Sequence, residues 1–166
     1  DVYKRQVLYF EHKKAYRFLK EEVPETYYTV PLGKADVKRP GEDITVFCYG
    51  LMVNYCLQAA DILANDGIDV EVVDLRTVYP LDKATIIERS QRTGKVLLVT
   101  EDNLEGSIMS EVSAIIAENC LFDLDAPIMR LAAPDVPSMP FSPTLENEIM
   151  MNPEKIQDKM RELAQF

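Results

Sequence analysis

The chain has 166 residues, of which 18 are Lys or Arg and 28 are Asp or Glu, so its formal net charge at pH 7 is −10. Hydrophobic residues make up 47% of the sequence, which is ordinary for a globular domain with a proper core. Its apolar runs are far shorter than the roughly 20 residues that a membrane span needs, and no secretory signal pattern is visible, so we expect a cytoplasmic protein, or a mitochondrial matrix protein if the source is eukaryotic.

The first 40 residues predict no complete domain. Residues 7–10 have the composition of a strand, residues 13–22 predict a short helix, and residues 24–40 read as an extended linker because they carry Pro31, Gly33 and Pro40. Residues 1–6 fit no pattern. The segment therefore looks like the end of an upstream domain followed by a connection.

The remaining sequence alternates between strand and helix patterns. β-Branched runs at residues 44–49, 70–75, 96–100 and 128–132 are nearly continuous, as in strands covered on both faces. Helical periods lie between and after them: residues 53–64, a helix capped by Asp82 and closed by Gly94, residues 107–119, and a helix that begins at Asn152 and Pro153. This order predicts an α/β fold, a three-layer α/β/α sandwich with a mainly parallel sheet.

The charge is unevenly distributed along the chain. Residues 1–40 hold nine Lys or Arg and six Asp or Glu, a net of +3, whereas residues 41–166 hold nine and 22, a net of −13. The acidic part would repel a phosphate backbone, so we expect no nucleic-acid binding and favour a basic protein partner. A role of the acidity in solubility alone stays open.

Few residues offer catalytic chemistry. Cys48, Cys56 and Cys120 are widely spaced and are interpreted as reduced core thiols, and His12 is the single histidine. No nucleophile with an adjacent base is recognisable, so we predict no catalytic, cofactor-binding or metal-binding residue and no self-contained enzyme.

Ligands of open α/β sheets usually bind beyond the carboxyl ends of the strands. Neither of the common glycine-rich phosphate-binding motifs occurs at these ends. Glu101, Asp102 and Glu105 form an acidic loop that could hold a hard cation or act as a carboxylate pair, or could simply be a solvated turn before the helix. At the end of the second strand, Arg76 is expected to form a salt bridge rather than to clamp an anion.

Several strings, in chain order, resemble one family. They are Phe10-Glu11-His12-Lys13, Tyr16-Arg17, Val30-Pro31-Leu32-Gly33-Lys34-Ala35, Val37-Lys38-Arg39-Pro40-Gly41, residues 46–50, Val73-Asp74-Leu75-Arg76-Thr77-Val78-Tyr79-Pro80-Leu81-Asp82, and Ala133-Pro134-Asp135-Val136-Pro137. The family is the β subunit of the thiamine-diphosphate-dependent 2-oxo acid dehydrogenase decarboxylase component, of pyruvate or branched-chain type. The string from Asp74 to Asp82 is the most specific of them.

The resemblance implies a fragment of a larger enzyme. Residues 1–23 would be the end of a missing pyrimidine-binding domain, residues 24–41 the linker, and residues 42–166 a transketolase C-terminal-like domain. The intact parent would use thiamine diphosphate and Mg²⁺, whereas the fragment would bind no cofactor and be inactive alone. A free-standing acidic interaction module of the same fold is the alternative.

The resemblance also implies partners. They are the α subunit, a second β subunit in a homodimer that we expect to form through apolar loops after the strands, and the basic peripheral-subunit-binding domain of the acyltransferase core. The candidate residues for binding this basic domain are Asp125, the C-terminal carboxylate of Phe166 and, as a third candidate, Asp135. Asp125 could instead only form a turn before Pro127, and Phe166 could fray.

One string departs from the family pattern. The family usually has a glycine-rich turn after the third strand, whereas residues 105–111 here keep only Gly106 and Glu111 of that pattern. Bulkier side chains at this turn would limit how closely another backbone can approach. Subunit contacts at this turn are therefore not carried over from the family.

Overall fold

The computed structural model describes residues 6–137 and 139–166, and the chain divides into two units, residues 1–30 and 31–166. Residues 1–5, for which the sequence predicts no element, lie outside the described residues. Part of the predicted linker, from residue 31 onward, thus belongs to the second unit.

The described part of the first unit has little regular structure. Its helix, α1, spans Ala15–Phe18, which is shorter than the predicted residues 13–22. The predicted strand at residues 7–10 is wrong, because these residues have no regular secondary structure. A strand is stabilised by pairing with a neighbour, and the described residues of this unit provide none.

The second unit contains a five-stranded sheet. Its strands are β1 (Asp36–Arg39), β2 (Ile44–Cys48), β3 (Val70–Asp74), β4 (Val96–Asn103) and β5 (Met129–Ala133), in the spatial order β1-β3-β2-β4-β5. The four predicted strands, β2 to β5, are parallel, whereas β1, which the sequence did not predict, pairs antiparallel with β3. All four parallel strands therefore end at one edge of the sheet, the carboxyl edge, and begin at the opposite, amino edge.

Five helices accompany the sheet. They are α2 (Leu51–Ala64), α3 (Lys83–Thr93), α4 (Ile108–Cys120), which a 3-10 turn at Leu121–Asp123 extends, α5 (Pro143–Ile149) and α6 (Pro153–Ala164). The predicted caps are confirmed, since the Asp82 side chain accepts a hydrogen bond from the N–H of Thr85 and that of Asn152 from the N–H of Lys155. In the described part of the chain, no helix combines the length and apolarity required to cross a bilayer.

The core lies on both faces of the sheet, as predicted for a three-layer sandwich. Alternating side chains along β2 face opposite sides, with Val46 packed under α2 and α6 and Phe47 packed under α3 and α4. Cys48 and Cys56 lie in the first cluster and Cys120 in the second, and all three are free and buried, which confirms them as core thiols. Burial, together with the neighbouring Cys56, raises the pKa of Cys48 well above its usual range.

A buried ionic network closes the amino edge. Glu71 of β3 is fully buried, accepts a hydrogen bond from the Thr45 hydroxyl (3.0 Å), and pairs with the guanidinium groups of Arg92 (2.6 Å) and Arg89 (3.4 Å). Arg92 also donates to the carbonyl of Gly41. A buried carboxylate requires polar partners. Those of Glu71 come from β2 and α3, so its contacts connect these two elements to β3.

Candidate functional site

The loop after β3 is held in a strained conformation by its neighbours. Arg76 has a φ of 54°, its N–H donates to Asp74 (2.9 Å), and its guanidinium pairs with Asp36 of β1 at 2.7 Å. The salt bridge expected for Arg76 is confirmed. Burial raises the pKa of Asp74, while the hydrogen bond from Arg76 acts in the opposite direction.

The start of α3 fixes the other end of this loop. Asp82 is buried and accepts hydrogen bonds from the Thr85 hydroxyl (2.8 Å) and the N–H of Ala35 (3.1 Å), with Lys34 at 3.7 Å. Burial acts to raise the pKa of Asp82, but these hydrogen bonds outweigh it, so the pKa lies below its usual value. Between Arg76 and Asp82, the loop carries Tyr79, whose side chain is 91% exposed.

The acidic loop after β4 is exposed. Glu101, Asp102 and Glu105 are all open to solvent, and among the residues described no three His, Cys, Asp or Glu side chains gather as metal ligands. Tyr49 hydrogen-bonds the Thr100 hydroxyl at 2.8 Å. Burial raises the pKa of Tyr49, and the charges of Asp102 and Glu101 raise it further.

A small apolar pocket lies beside this loop at the carboxyl edge. Its volume is about 40 Å³, far below the roughly 300–1,000 Å³ of sites for cofactor-sized ligands. Four methionines contribute to its lining, namely Met52, Met139, Met150 and Met151. Such a pocket packs flexible side chains rather than enclosing a cofactor.

Asp125 lies at the amino edge, between the 3-10 turn and β5. Its N–H donates to the carbonyl of Gly94 at 2.8 Å, and its carboxylate is exposed. Gly94 has a φ of 65°, and a Cβ there would lie 2.5 Å from the Asp125 carboxylate. The turn that closes α3 and the segment carrying Asp125 therefore fit closely together.

Phe166, the second candidate, follows α6. Its side chain is 61% exposed, and its N–H donates to the carbonyl of Leu163 at 3.4 Å. Two residues earlier, the carbonyl of Ala164 accepts a hydrogen bond from the ammonium of Lys95, also at 3.4 Å. Since Lys95 directly follows Gly94, the end of α6 and Asp125 both approach the turn at the start of β4.

Asp135, the third candidate, lies at the opposite edge. It follows the carboxyl end of β5, is exposed, and lines an open groove of about 450 Å³ between β5 and the helices α5 and α6. The structure therefore brings Asp125 and Phe166 to one edge of the sheet and separates Asp135 from both.

Sequence reasoning missed the exposed aromatic side chains. Phe122 in the 3-10 turn and Phe141 after β5 are both fully exposed, at 100% and 101%. Phe122 lies beside Leu121, which is 59% exposed. The only sequence signal was that these aromatic residues fall between predicted elements, outside any periodic pattern.

The fold corresponds to that of a known domain family. Residues 33–156 match the transketolase C-terminal domain, and the chain belongs to this family. A solved structure of a split-gene transketolase, an inactive β4 tetramer, superposes with a TM-score of 0.73 over 86% of this chain and 47% of its own, at 23% identity. The predicted transketolase C-terminal-like α/β fold is thereby confirmed.

The curated relatives are more specific. The chain is 66% identical over 160 residues to 2-oxoisovalerate dehydrogenase subunit beta of Bacillus subtilis (strain 168), covering 96% of this chain and 49% of the relative. Pyruvate dehydrogenase E1 component subunit beta of the same organism is 44% identical over the same shares. The chain spans about half the length of these relatives. Its resemblance to β subunits of 2-oxo acid dehydrogenase decarboxylase components is confirmed.

Proposed function

We propose that this chain is the C-terminal part of the β subunit of a thiamine-diphosphate-dependent 2-oxo acid dehydrogenase. The intact protein would oxidatively decarboxylate a 2-oxo acid and pass the acyl group to a lipoyl group. The 66% identity to a 2-oxoisovalerate dehydrogenase subunit, against 44% to a pyruvate dehydrogenase subunit, favours a branched-chain substrate. Coverage of only half of these relatives supports a fragment over a free-standing module. Relatives from Bacillus subtilis support a cytoplasmic over a mitochondrial location.

The described residues of this domain do not fit thiamine diphosphate or its Mg²⁺. The carboxyl ends of β2 to β5 carry no glycine-rich phosphate-binding motif, and the acidic loop does not assemble three ligands among the described residues. We therefore assign the chemistry to other parts of the parent complex. The role that we propose for this domain is assembly and docking.

The carboxyl edge suits subunit assembly with a second β subunit and the α subunit. Apolar side chains of the loops and of helix α5 there are at least one third exposed: Val78, Tyr79, Leu104, Val136, Met139, Phe141 and Leu145. Exposed apolar patches often mark interaction sites, and protein interfaces are enriched in aromatic residues and methionine. We place the dimer contact on this edge.

The amino edge suits the basic peripheral-subunit-binding domain of the acyltransferase core. One observation carries this assignment: Asp125 and the end of α6 with Phe166 approach the same turn at Gly94 and Lys95. The net charge of −13 over residues 41–166 would attract a basic domain to this part of the chain.

A binding titration tests the docking role. The chain is titrated with a basic peripheral-subunit-binding domain at low and high salt, with Asp125→Asn compared against Asp135→Asn. We expect binding that weakens with salt, and a loss of affinity for Asp125→Asn of about tenfold, because a charged hydrogen-bonding partner is removed. Asp135→Asn, at the opposite edge, should bind like the parent chain. Equal effects of the two variants, or no binding at low salt, would contradict the assignment.

A further inference from the structure

Phe122 is an unusual surface residue. Its side chain is 100% exposed, and the adjacent Leu121 is 59% exposed, in the turn between α4 and β5 at the amino edge. Exposing a complete aromatic ring forgoes the stabilisation that its burial would provide. Phe122 lies three positions before Asp125, so the ring belongs to the segment that carries the surface proposed for docking.

The turn that carries Phe122 is held on both sides. Cys120 before it is fully buried, and Leu124 after it packs into the core cluster under α3 and α4. The Asp123 carboxylate accepts a hydrogen bond from the Gln91 amide at 2.9 Å, and the Asp125 N–H donates to Gly94. Phe122 is therefore presented from a fixed backbone, which lowers the entropy lost when a partner covers the ring.

The surroundings of Phe122 are acidic. Glu118, Asp123 and Asp125 lie within four residues of it, and none of the salt bridges among residues 6–137 and 139–166 involves them. By contrast, Arg76, Arg92 and other cations of this unit are paired with carboxylates elsewhere. An exposed apolar ring within uncompensated negative charge fits an apolar pocket rimmed by Lys and Arg.

We propose that Phe122, supported by Leu121, is the apolar anchor by which this edge binds a basic domain, with Glu118, Asp123 and Asp125 supplying the charged rim. The inference rests on the proposed docking function and adds the residue that provides most of the affinity. Binding energy at interfaces concentrates in a few central aromatic residues, whereas rim charges mainly affect association rate and salt dependence.

The test compares two aromatic side chains of similar exposure. Phe122→Ala and the control Tyr27→Ala each remove one ring that is more than 90% exposed, but Tyr27 belongs to the first unit, outside both surfaces to which we assign partners. Both are titrated with a basic peripheral-subunit-binding domain from a branched-chain 2-oxo acid dehydrogenase complex. We expect Phe122→Ala to weaken binding at least about tenfold, Tyr27→Ala to have no effect, and circular dichroism melts of both to match the parent chain.

Salt dependence separates the anchor from the rim. The affinity lost in Phe122→Ala should be the same at low and high salt, whereas the loss in Asp125→Asn should shrink as salt screens the charge. Parent-level binding by Phe122→Ala while Asp125→Asn is weakened would overturn this inference and leave the docking function standing. Equal losses in Phe122→Ala and Tyr27→Ala would also overturn it. Absence of binding by the parent chain would overturn both.

Discussion

The buried carboxylate of Glu71 provides the sharpest test of how this domain is held together. Arg92→Met removes the guanidinium 2.6 Å from Glu71 and leaves Arg89, at 3.4 Å, and the Thr45 hydroxyl as its partners. Loss of one member of a buried ion pair typically costs 3–5 kcal/mol. Because Arg92 is 30% exposed and two partners of Glu71 remain, we expect a loss of about 2–3 kcal/mol of unfolding free energy.

A second substitution, Glu71→Gln, should change the free energy of unfolding in opposite directions in the parent chain and in Arg92→Met. Glu71→Gln alone should destabilise the parent chain by about 1 kcal/mol, since charged hydrogen bonds become neutral ones. In the Arg92→Met background the same substitution removes a poorly compensated buried charge, so it should stabilise the protein by about 1 kcal/mol.

Urea unfolding followed by far-ultraviolet circular dichroism measures these differences, because the chain has no Trp to serve as a fluorescence probe. The Arg92→Met loss corresponds to a fall of about 4–12 °C in Tm for a domain of this size. A cost below about 0.5 kcal/mol for Arg92→Met, or destabilisation by Glu71→Gln in both backgrounds, would refute the reasoning about buried charge.

Two local features of the second unit give further predictions. Gly41→Ala would place a Cβ closer than 3.0 Å to main-chain atoms of Val70, so it should cost roughly 3 kcal/mol or more of unfolding free energy. Gly67→Ala should cost only about 1–2 kcal/mol, because φ is +79° there but the space is open. Similar Tm losses in the two variants would be inconsistent with this. Asp82→Ala should cost about 1 kcal/mol at pH 7 through loss of the helix cap. Since the folded-state pKa of Asp82 is lowered, its contribution is present above about pH 4 and is lost as the pH falls, so the difference from the parent chain in urea unfolding should shrink at pH 3. Asp82→Asn retains a cap and is the control; an undiminished difference at pH 3 would count against this assignment.

The features that the sequence predicted correctly are those decided locally or by repeated pattern. Caps such as Asp82 and Asn152 act within three residues of themselves, so their side-chain types were informative. The strands β2, β3 and the first part of β4 are buried and mainly apolar, a pattern that needs no knowledge of the partner.

The missed elements depend on distant residues. Strand β1 is polar and lies between proline and glycine residues, and Arg39 at its end pairs with Asp69, 30 positions away. Helix α5 buries none of its residues and so leaves no apolar stripe. The prediction of a strand at residues 7–10 was wrong because composition alone does not form a strand. These residues have a suitable composition, but the described residues of their unit offer no strand to pair with.

The candidate site was only partly predictable for the same reason. The family resemblance suggested Asp125 as a candidate, but the approach of α6 to Gly94 and Lys95 is a tertiary contact. The exposure of Phe122 could not be predicted from the sequence either, because it depends on how the 3-10 turn is placed by the rest of the fold.

The five residues of β5 set a fixed spacing within the domain. At about 3.3 Å per residue, this strand separates the segment of Asp125 from that of Asp135 by roughly 17 Å of hydrogen-bonded backbone. In the proposed assembly, the partners at the two edges would therefore contact separate surfaces of the domain. In this proposed assembly, the domain would be a rigid spacer between the catalytic subunits and the acyltransferase core, and mutation could change the affinities at its two ends independently.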